Sequence, residues 1–307
     1  MRVIKPSVEE FKQEHMMKHI ERCGRLCYKS EDRITEDSHI RFVNMLKEHA
    51  HGAMLEHGTV YLIIPFDDIS QEEFHTDTPK NNENGYKMSV IKKFIYNKYT
   101  KYAICDMRYY ITTNYRVIVE NDWEEYMEKF QSECTEYHPK RRTFHITCNR
   151  GVSHEFVRHR VFSFAQESTR YCNYSKDKFS NEITYICPCW LDYDKVQKLT
   201  EIANRDNKEV YRMGHDESLS MEERGLCSFI YDMSNHEHGY LFQVSAGWKA
   251  QEARAVLPNS LKTELVMTGY ISDWKHFFEL RTAGAAHPQA RELALPLKEE
   301  FLTRGYI

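Results

Sequence analysis

No run of apolar residues in this chain approaches the 18 or so that a membrane-spanning helix needs, so no membrane span is expected. The first residues, Met1-Arg2-Val3-Ile4-Lys5-Pro6, are not followed by an apolar stretch of the kind that directs secretion. The expected location is the cytoplasm, or an organelle whose targeting peptide has been removed. An excess of positive charge is also missing. The net charge is −4, which argues against a nucleic-acid coat protein and leaves any polyanion site to local clusters of Arg and Lys. No internal repeat and no low-complexity linker interrupts the chain. The nine cysteines form no Cys-x2-Cys pair, and His57, His145, His154 and His159 stand at neither His-x3-His nor His-Glu-x-x-His spacing from one another. Cys23 and Cys27, and Cys187-Pro188-Cys189, do not fit a zinc site, so no metal is expected. Such thiols stay reduced in an intracellular protein.

The 307 residues suffice for one large domain with a sizeable core. Hydrophobic residues make up 41% and charged residues 29%, the balance of an ordinary globular chain. Ser7-Val8-Glu9-Glu10 has the form of a capping box and predicts a helix running toward Tyr28. A second helix is expected over about 38–50, with Ile40, Val43 and Leu46 on its inner side. Strands are expected at Val60–Ile64, Tyr109–Thr113, Arg142–Cys148 and Leu261–Tyr270. A helical pattern runs from Gly151 through Arg158. Long helices are expected over Leu191–Met213 and from Ser218 to about Arg254, where Pro258 stops the second. Ser272 is expected to cap a helix carrying Trp274, Phe277 and Phe278. His287-Pro288 opens the last helix, with Pro in its first turn. Lys80 to Gly85 reads as a polar loop. Together these predict one α+β domain with a central, mostly antiparallel sheet flanked by long helices.

The chemistry concentrates between Glu155 and Tyr171. Arg158, His159, Arg160 and Arg170 alternate there with Val157, Val161, Phe162 and Phe164. That interleaving predicts partly buried arginines, and a buried guanidinium needs an anionic acceptor. Ser168, Thr169 and Arg170 are donors of the kind that hold phosphate. An internal salt-bridge network with Glu155 and Glu167 explains the same composition equally well. Arg281 follows Trp274, Phe277 and Phe278 at i+7, i+4 and i+3, on the apolar face of its helix. Arg254 lies among Ala250, Ala253 and Ala255. Three separated segments offering inward arginines suggest a pocket for an anionic ligand.

These residues carry a resemblance. Arg158-His159-Arg160, seven residues and then Ser168 form the signature of the flavin-dependent thymidylate synthases. Glu56-His57-Gly58-Thr59, Glu252-Ala253-Arg254-Ala255-Val256-Leu257-Pro258-Asn259 and Thr268-Gly269 through Arg281 resemble other blocks of that family, in the right order. The resemblance covers residues 1–65 and most of 142–295, and 67–140 then reads as an insertion. It implies an oligomer, a homotetramer, with active sites built from several subunits around FAD. The implied reaction converts dUMP to dTMP, with methylenetetrahydrofolate as carbon donor and NADPH as reductant. It places His57, Thr59, Arg158, His159, Arg160, Gln166, Tyr270 and His276 at the flavin. Tyr270 stands where the family often has Asn. It places Glu155, Arg158, Gln166, Glu167, Ser168, Thr169, Arg170 and Arg254 around dUMP. Arg281 would lie against the uracil as the catalytic group, stabilising negative charge on the ring. No nucleic acid and no membrane are expected among the partners. The rival readings are the thymidylate synthase that uses a cysteine nucleophile, a nucleotide- or RNA-binding protein using the same arginines without catalysis, and a structural protein.

Overall fold

A computed structural model describes residues 1–66 and 90–307. Among these the strands are β1 (Arg2–Ile4), β2 (Ser7–Glu10), β3 (Thr59–Pro65), β4 (Lys101–Cys105), β5 (Arg108–Asn114), β6 (Arg141–Asn149), β7 (Ser163–Gln166), β8 (Thr184–Ile186) and β9 (Lys262–Tyr270). The helices are α1 (Met16–Tyr28), α2 (Ser38–Glu48), α3 (Gly52–Leu55), α4 (Val90–Ile95), α5 (Tyr115–Glu120), α6 (Glu124–Phe130) and α7 (Arg150–Phe156). They continue as α8 (Tyr193–Arg205), α9 (Asn207–Gly214), α10 (Met221–Ser245), α11 (Ala250–Ala253), α12 (Ile271–Arg281) and α13 (Pro288–Thr303).

The central sheet has the order β2-β6-β9-β7 and is antiparallel throughout. Alternation gives it two chemically different faces. Phe144 and Ile146 on β6 share one face with Leu265 and Met267 on β9, under α7, α12 and α13. Trp274, Phe277, Phe278 and Phe301 fill that layer and are fully or almost fully buried. Each such ring contributes roughly 1.5–3 kcal/mol by leaving water. Phe162 closes the end of this layer. A Cβ on Gly269 would stand 2.5 Å from its ring, so that position admits only glycine without rearrangement. The opposite face presents Thr143, Ala165, Val266 and Thr268 to α1 and the buried His57.

A second antiparallel sheet, β3-β5-β4, packs with α2, α4, α5 and α6 around its own apolar cluster. Lys101 Nζ reaches Ser272 Oγ at 2.6 Å and Asp273 Oδ1 at 3.1 Å at the start of α12. The short parallel pair β1-β8 joins a third cluster with α8, α9 and α10. The mixed helix and sheet architecture agrees with the expected fold class.

Several sequence-based expectations need correction. Ser7–Glu10 is a strand, because pairing with Thr147–Phe144 and packing of Val8 outweigh the local capping pattern. The helix begins only at Met16, after His15. Ile40 is exposed, and the inner face of α2 is His39, Phe42, Val43 and Leu46. The expected helix over 191–213 is broken at Asp206, whose extended backbone ends α8 and whose carboxylate caps α9 through Lys208 N. The next helix ends at Ser245. Gly247, at φ +96°, lies in the left-handed region and stops it before Arg254. Ser220, reciprocally bonded to Glu223, caps its start. α12 opens at Ile271 instead of after Ser272, since Asp273 Oδ2 accepts from Tyr270 N. The helix after Gly151 stops at Phe156, before the arginines. Lys80 to Gly85 lies outside the described residues.

Candidate active site

α7, capped by Asn149 Oδ1 on Val152 N, ends at the signature segment. Residues 157–162 then turn into β7. The turn reverses the expected burial. Val161 is 67% exposed, while His159 and Phe162 face inward. Arg158, Arg160 and Arg170 are exposed, as is Arg254, so the partial burial expected for these arginines is not found. The interleaved apolar residues do not share a helix face with them, because the segment is a turn and a short strand.

Arg281 is the exception. It sits half-buried at the end of α12, and each nitrogen of its fork makes one hydrogen bond. Nε donates to His159 Nε2 at 2.9 Å, Nη1 to Glu155 Oε2 at 2.5 Å and Nη2 to the Glu155 carbonyl at 2.8 Å. His159 accepts and is therefore neutral. Burial first, then the charges of Arg281 and His276, hold its pKa down to about 4. The rings of His159 and His276 are 6.5 Å apart, and His276 is exposed beside Glu279. Glu155, His159, His276 and Arg281 thus meet in one place, flanked in sequence by Arg158 and Arg160.

A second group forms on β7 and the loop after it. Gln166 Nε2 donates to Ser153 Oγ at 2.9 Å and Thr263 Oγ1 at 3.2 Å. Arg254 Nη1 donates to Thr169 Oγ1 at 3.0 Å, joining two segments 85 residues apart. Ser168 Oγ accepts from Arg170 N. Glu167 turns inward. It is buried, with one oxygen accepting from Lys262 Nζ at 2.8 Å and the other from Tyr174 at 3.0 Å.

The early segment is enclosed. His57 Nδ1 lies 2.7 Å from Thr268 Oγ1, which is 2.8 Å from Thr143 Oγ1, which in turn is 3.1 Å from His19 Nε2. Burial first, then the proximity of His19 and the cationic Arg141, drops the pKa of His57 to about 3, and among the described residues its Nε2 has no hydrogen-bond partner. Thr59 is buried, clasped by Gln13 and reached by Arg141. The Tyr270 hydroxyl lies 2.6 Å from the Thr112 carbonyl and 3.0 Å from that of Tyr99. His57, Thr59 and Tyr270 therefore do not join the surface cluster. The sequence-based residue set missed Arg141, a deeply buried cation. The Arg-Arg pair at the start of a strand was its only visible signal.

The sequence model of the thymidylate synthase complementing protein family matches residues 137–304. The chain belongs to this family, that of the flavin-dependent thymidylate synthases. It is 27% identical over 199 residues to the flavin-dependent thymidylate synthase of Pyrococcus furiosus, covering 64% of this chain and 69% of that one. It is 32% identical over 147 residues to the enzyme of that name from Corynebacterium aurimucosum, covering 48% of this chain and 51% of that one. The chain thus spans about half the length of that second relative. A UMP/dUMP methylase, PolB from Streptomyces cacaoi, solved with 5-Br dUMP, aligns over 99% of this chain and 93% of that one. Its TM-score of 0.40 and 15% identity make a likeness too loose to carry weight.

Proposed function

We propose that this family member converts dUMP to dTMP by reductive methylation, taking its carbon from methylenetetrahydrofolate and its reducing equivalents from NADPH through FAD. The observation that carries the reading is the bond from Arg281 to His159, which ties the last block to the signature across 122 residues. The residues present suit a flavin in part. Arg158 and Arg160 are exposed and form no ion pair among the described residues, and between them in sequence stands His159, whose ring lies 6.5 Å from that of His276. Arg158, Arg160 and His276 would hold the cofactor, while His57, Thr59 and Tyr270 would support the sheet behind it. Bound and reduced, the flavin supplies the hydride that completes the methyl group.

The chain's own residues supply binding and charge. Arg170, Ser168 and the Arg254–Thr169 pair would grip the phosphate. Gln166 would face the nucleotide from β7. Glu155 and Arg281 present an acceptor and donors side by side, which matches the N3–H and the carbonyl oxygens of uracil. As C5 attacks the carbon donor, charge on the pyrimidine is stabilised by Arg281, whose position Glu155 and His159 already fix. No thiol takes part. Burial pushes Cys187 up to about 11, which leaves it protonated and a poor nucleophile. The exposed arginines would be completed by neighbouring subunits of a homotetramer, and residues 67–140 would be an insertion. Incubating the purified chain with dUMP, methylenetetrahydrofolate, NADPH and FAD tests the proposal. dTMP supports it, and dUMP binding without product favours the non-catalytic reading instead.

A further inference from the structure

Among the described residues, a cavity of about 730 Å³ opens between the N-terminal segment, the start of β6 and the chain beyond α6. Its inner wall carries a buried cation held only by neutral oxygens and a buried hydroxyl without a hydrogen-bond partner among the described residues. Arg141 is only 7% exposed, yet among the described residues it forms no ion pair. Its guanidinium reaches Thr59 Oγ1 at 3.3 Å, Ser163 Oγ at 3.3 Å and the Glu56 carbonyl at 3.0 Å, all uncharged oxygens. A charge taken out of water is poorly compensated by neutral partners alone. On the same wall Arg142 Nε faces Glu10 Oε1 at 3.6 Å, and Ser132 Oγ is buried with no hydrogen-bond partner among the described residues.

The carboxylates nearby do not meet this need. Glu10 is committed to Arg304, the Tyr306 hydroxyl and, at 3.6 Å, Arg142. Glu14, Glu133 and Glu136 are exposed at the rim, where water screens them. A buried cation met only by neutral oxygens, with an unpaired hydroxyl on the same wall, suits a compact, multiply accepting anion. We propose that this cavity binds a phosphate- or diphosphate-bearing ligand, with Arg141, Arg142 and Ser132 as its donors. The flavin dinucleotide and the nicotinamide dinucleotide both carry that chemistry. The site stands on its own geometry and does not depend on dUMP methylation.

The probe is pyrophosphate, titrated by calorimetry into the full chain. An Arg158→Ala/Arg160→Ala/Arg170→Ala/Arg254→Ala background removes the exposed arginines given above to cofactor and substrate. Saturable binding is expected there. Arg141→Gln should weaken it about tenfold or more, and Ser132→Ala about three- to tenfold. Ser132→Ala is the safeguard against misfolding, since it deletes a hydroxyl that has no partner and should leave the melting temperature unchanged or raised. A merely structural Ser132 leaves pyrophosphate affinity unmoved. Displacement of pyrophosphate by FAD in flavin-free protein would assign the site to the cofactor. Displacement by NADP⁺ in flavin-loaded protein would assign it to the reductant. No binding in the background protein, or equal affinity in the Arg141 and Ser132 variants, overturns the site. Absent dTMP formation bears on the reaction and not on this cavity.

Discussion

Replacing Arg281 separates a folding role from a catalytic one by magnitude. In the folded chain it makes three hydrogen bonds, to His159 and to the side chain and carbonyl of Glu155. The side chains of the ion pair are 17% and 33% exposed, so solvent screens part of the interaction. Removing the guanidinium should therefore cost about 1–2 kcal/mol of stability. At no more than about 2–4 °C per kcal/mol for a chain of this size, the melting temperature should fall by a few degrees. Stabilisation of a charge that develops only in the transition state is worth more, roughly 3–4 kcal/mol, or about 100- to 1,000-fold in rate. Arg281→Ala should lower single-turnover dTMP formation by that factor while flavin occupancy stays near normal. Arg281→Lys keeps the charge but loses the planar fork, so its loss should be smaller. Melting temperature, flavin content and single-turnover rate are measured on the same preparations. A normal rate in Arg281→Ala, or activity that merely tracks the folded fraction, would refute the reasoning.

Three further outcomes follow from the same geometry. Cys187→Ser and Cys189→Ser, singly and together, should leave dTMP formation intact. Complete loss in a folded, flavin-loaded variant would restore the thiol mechanism. His19 and His57 are held neutral, each with a pKa of about 3 where the unfolded value is 6.5. Their contribution to stability is complete above pH 6.5. It is lost as pH falls toward 3, because the unfolded chain takes protons that the folded one refuses. Each histidine should contribute a slope of about 1.4 kcal/mol per pH unit in that window. Urea unfolding of a His19→Gln/His57→Gln variant should show a shallower acid dependence than the parent, and equal slopes would contradict the assignment. Tyr270→Phe deletes the hydroxyl that reaches the Thr112 and Tyr99 carbonyls, with an expected cost of about 1–3 kcal/mol. An unchanged melting temperature would show that this contact does not hold the β3-β5-β4 unit to the central sheet.

How much of this was legible in the sequence depended on whether one element or several carried the signal. Strands β3, β5, β6 and β9 were readable, because their alternation or apolar runs are local. So was the start of α13, where His287-Pro288 sets the first turn. Ser7–Glu10 misled because a capping pattern is local while its pairing partner lies 140 residues away on β6. The break at Asp206 was hidden inside a continuous helical pattern. The signature located the site, but composition could not decide which arginines faced inward. Arg281 does so through Glu155 and His159, whereas Arg158 and Arg160 leave on a turn. The enclosure of His57 and Tyr270 required the β3-β5-β4 unit, whose packing no motif announced.

The central claim is that the chain holds a flavin and uses it on dUMP. The most direct measurement is the visible absorption spectrum of the purified protein, recorded as NADPH, methylenetetrahydrofolate and dUMP are added, with dTMP assayed in the same sample. The account predicts a yellow protein whose flavin band bleaches on reduction and returns as dTMP accumulates. A colourless protein that takes up no FAD and forms no dTMP, under both anaerobic and aerobic conditions, would contradict it.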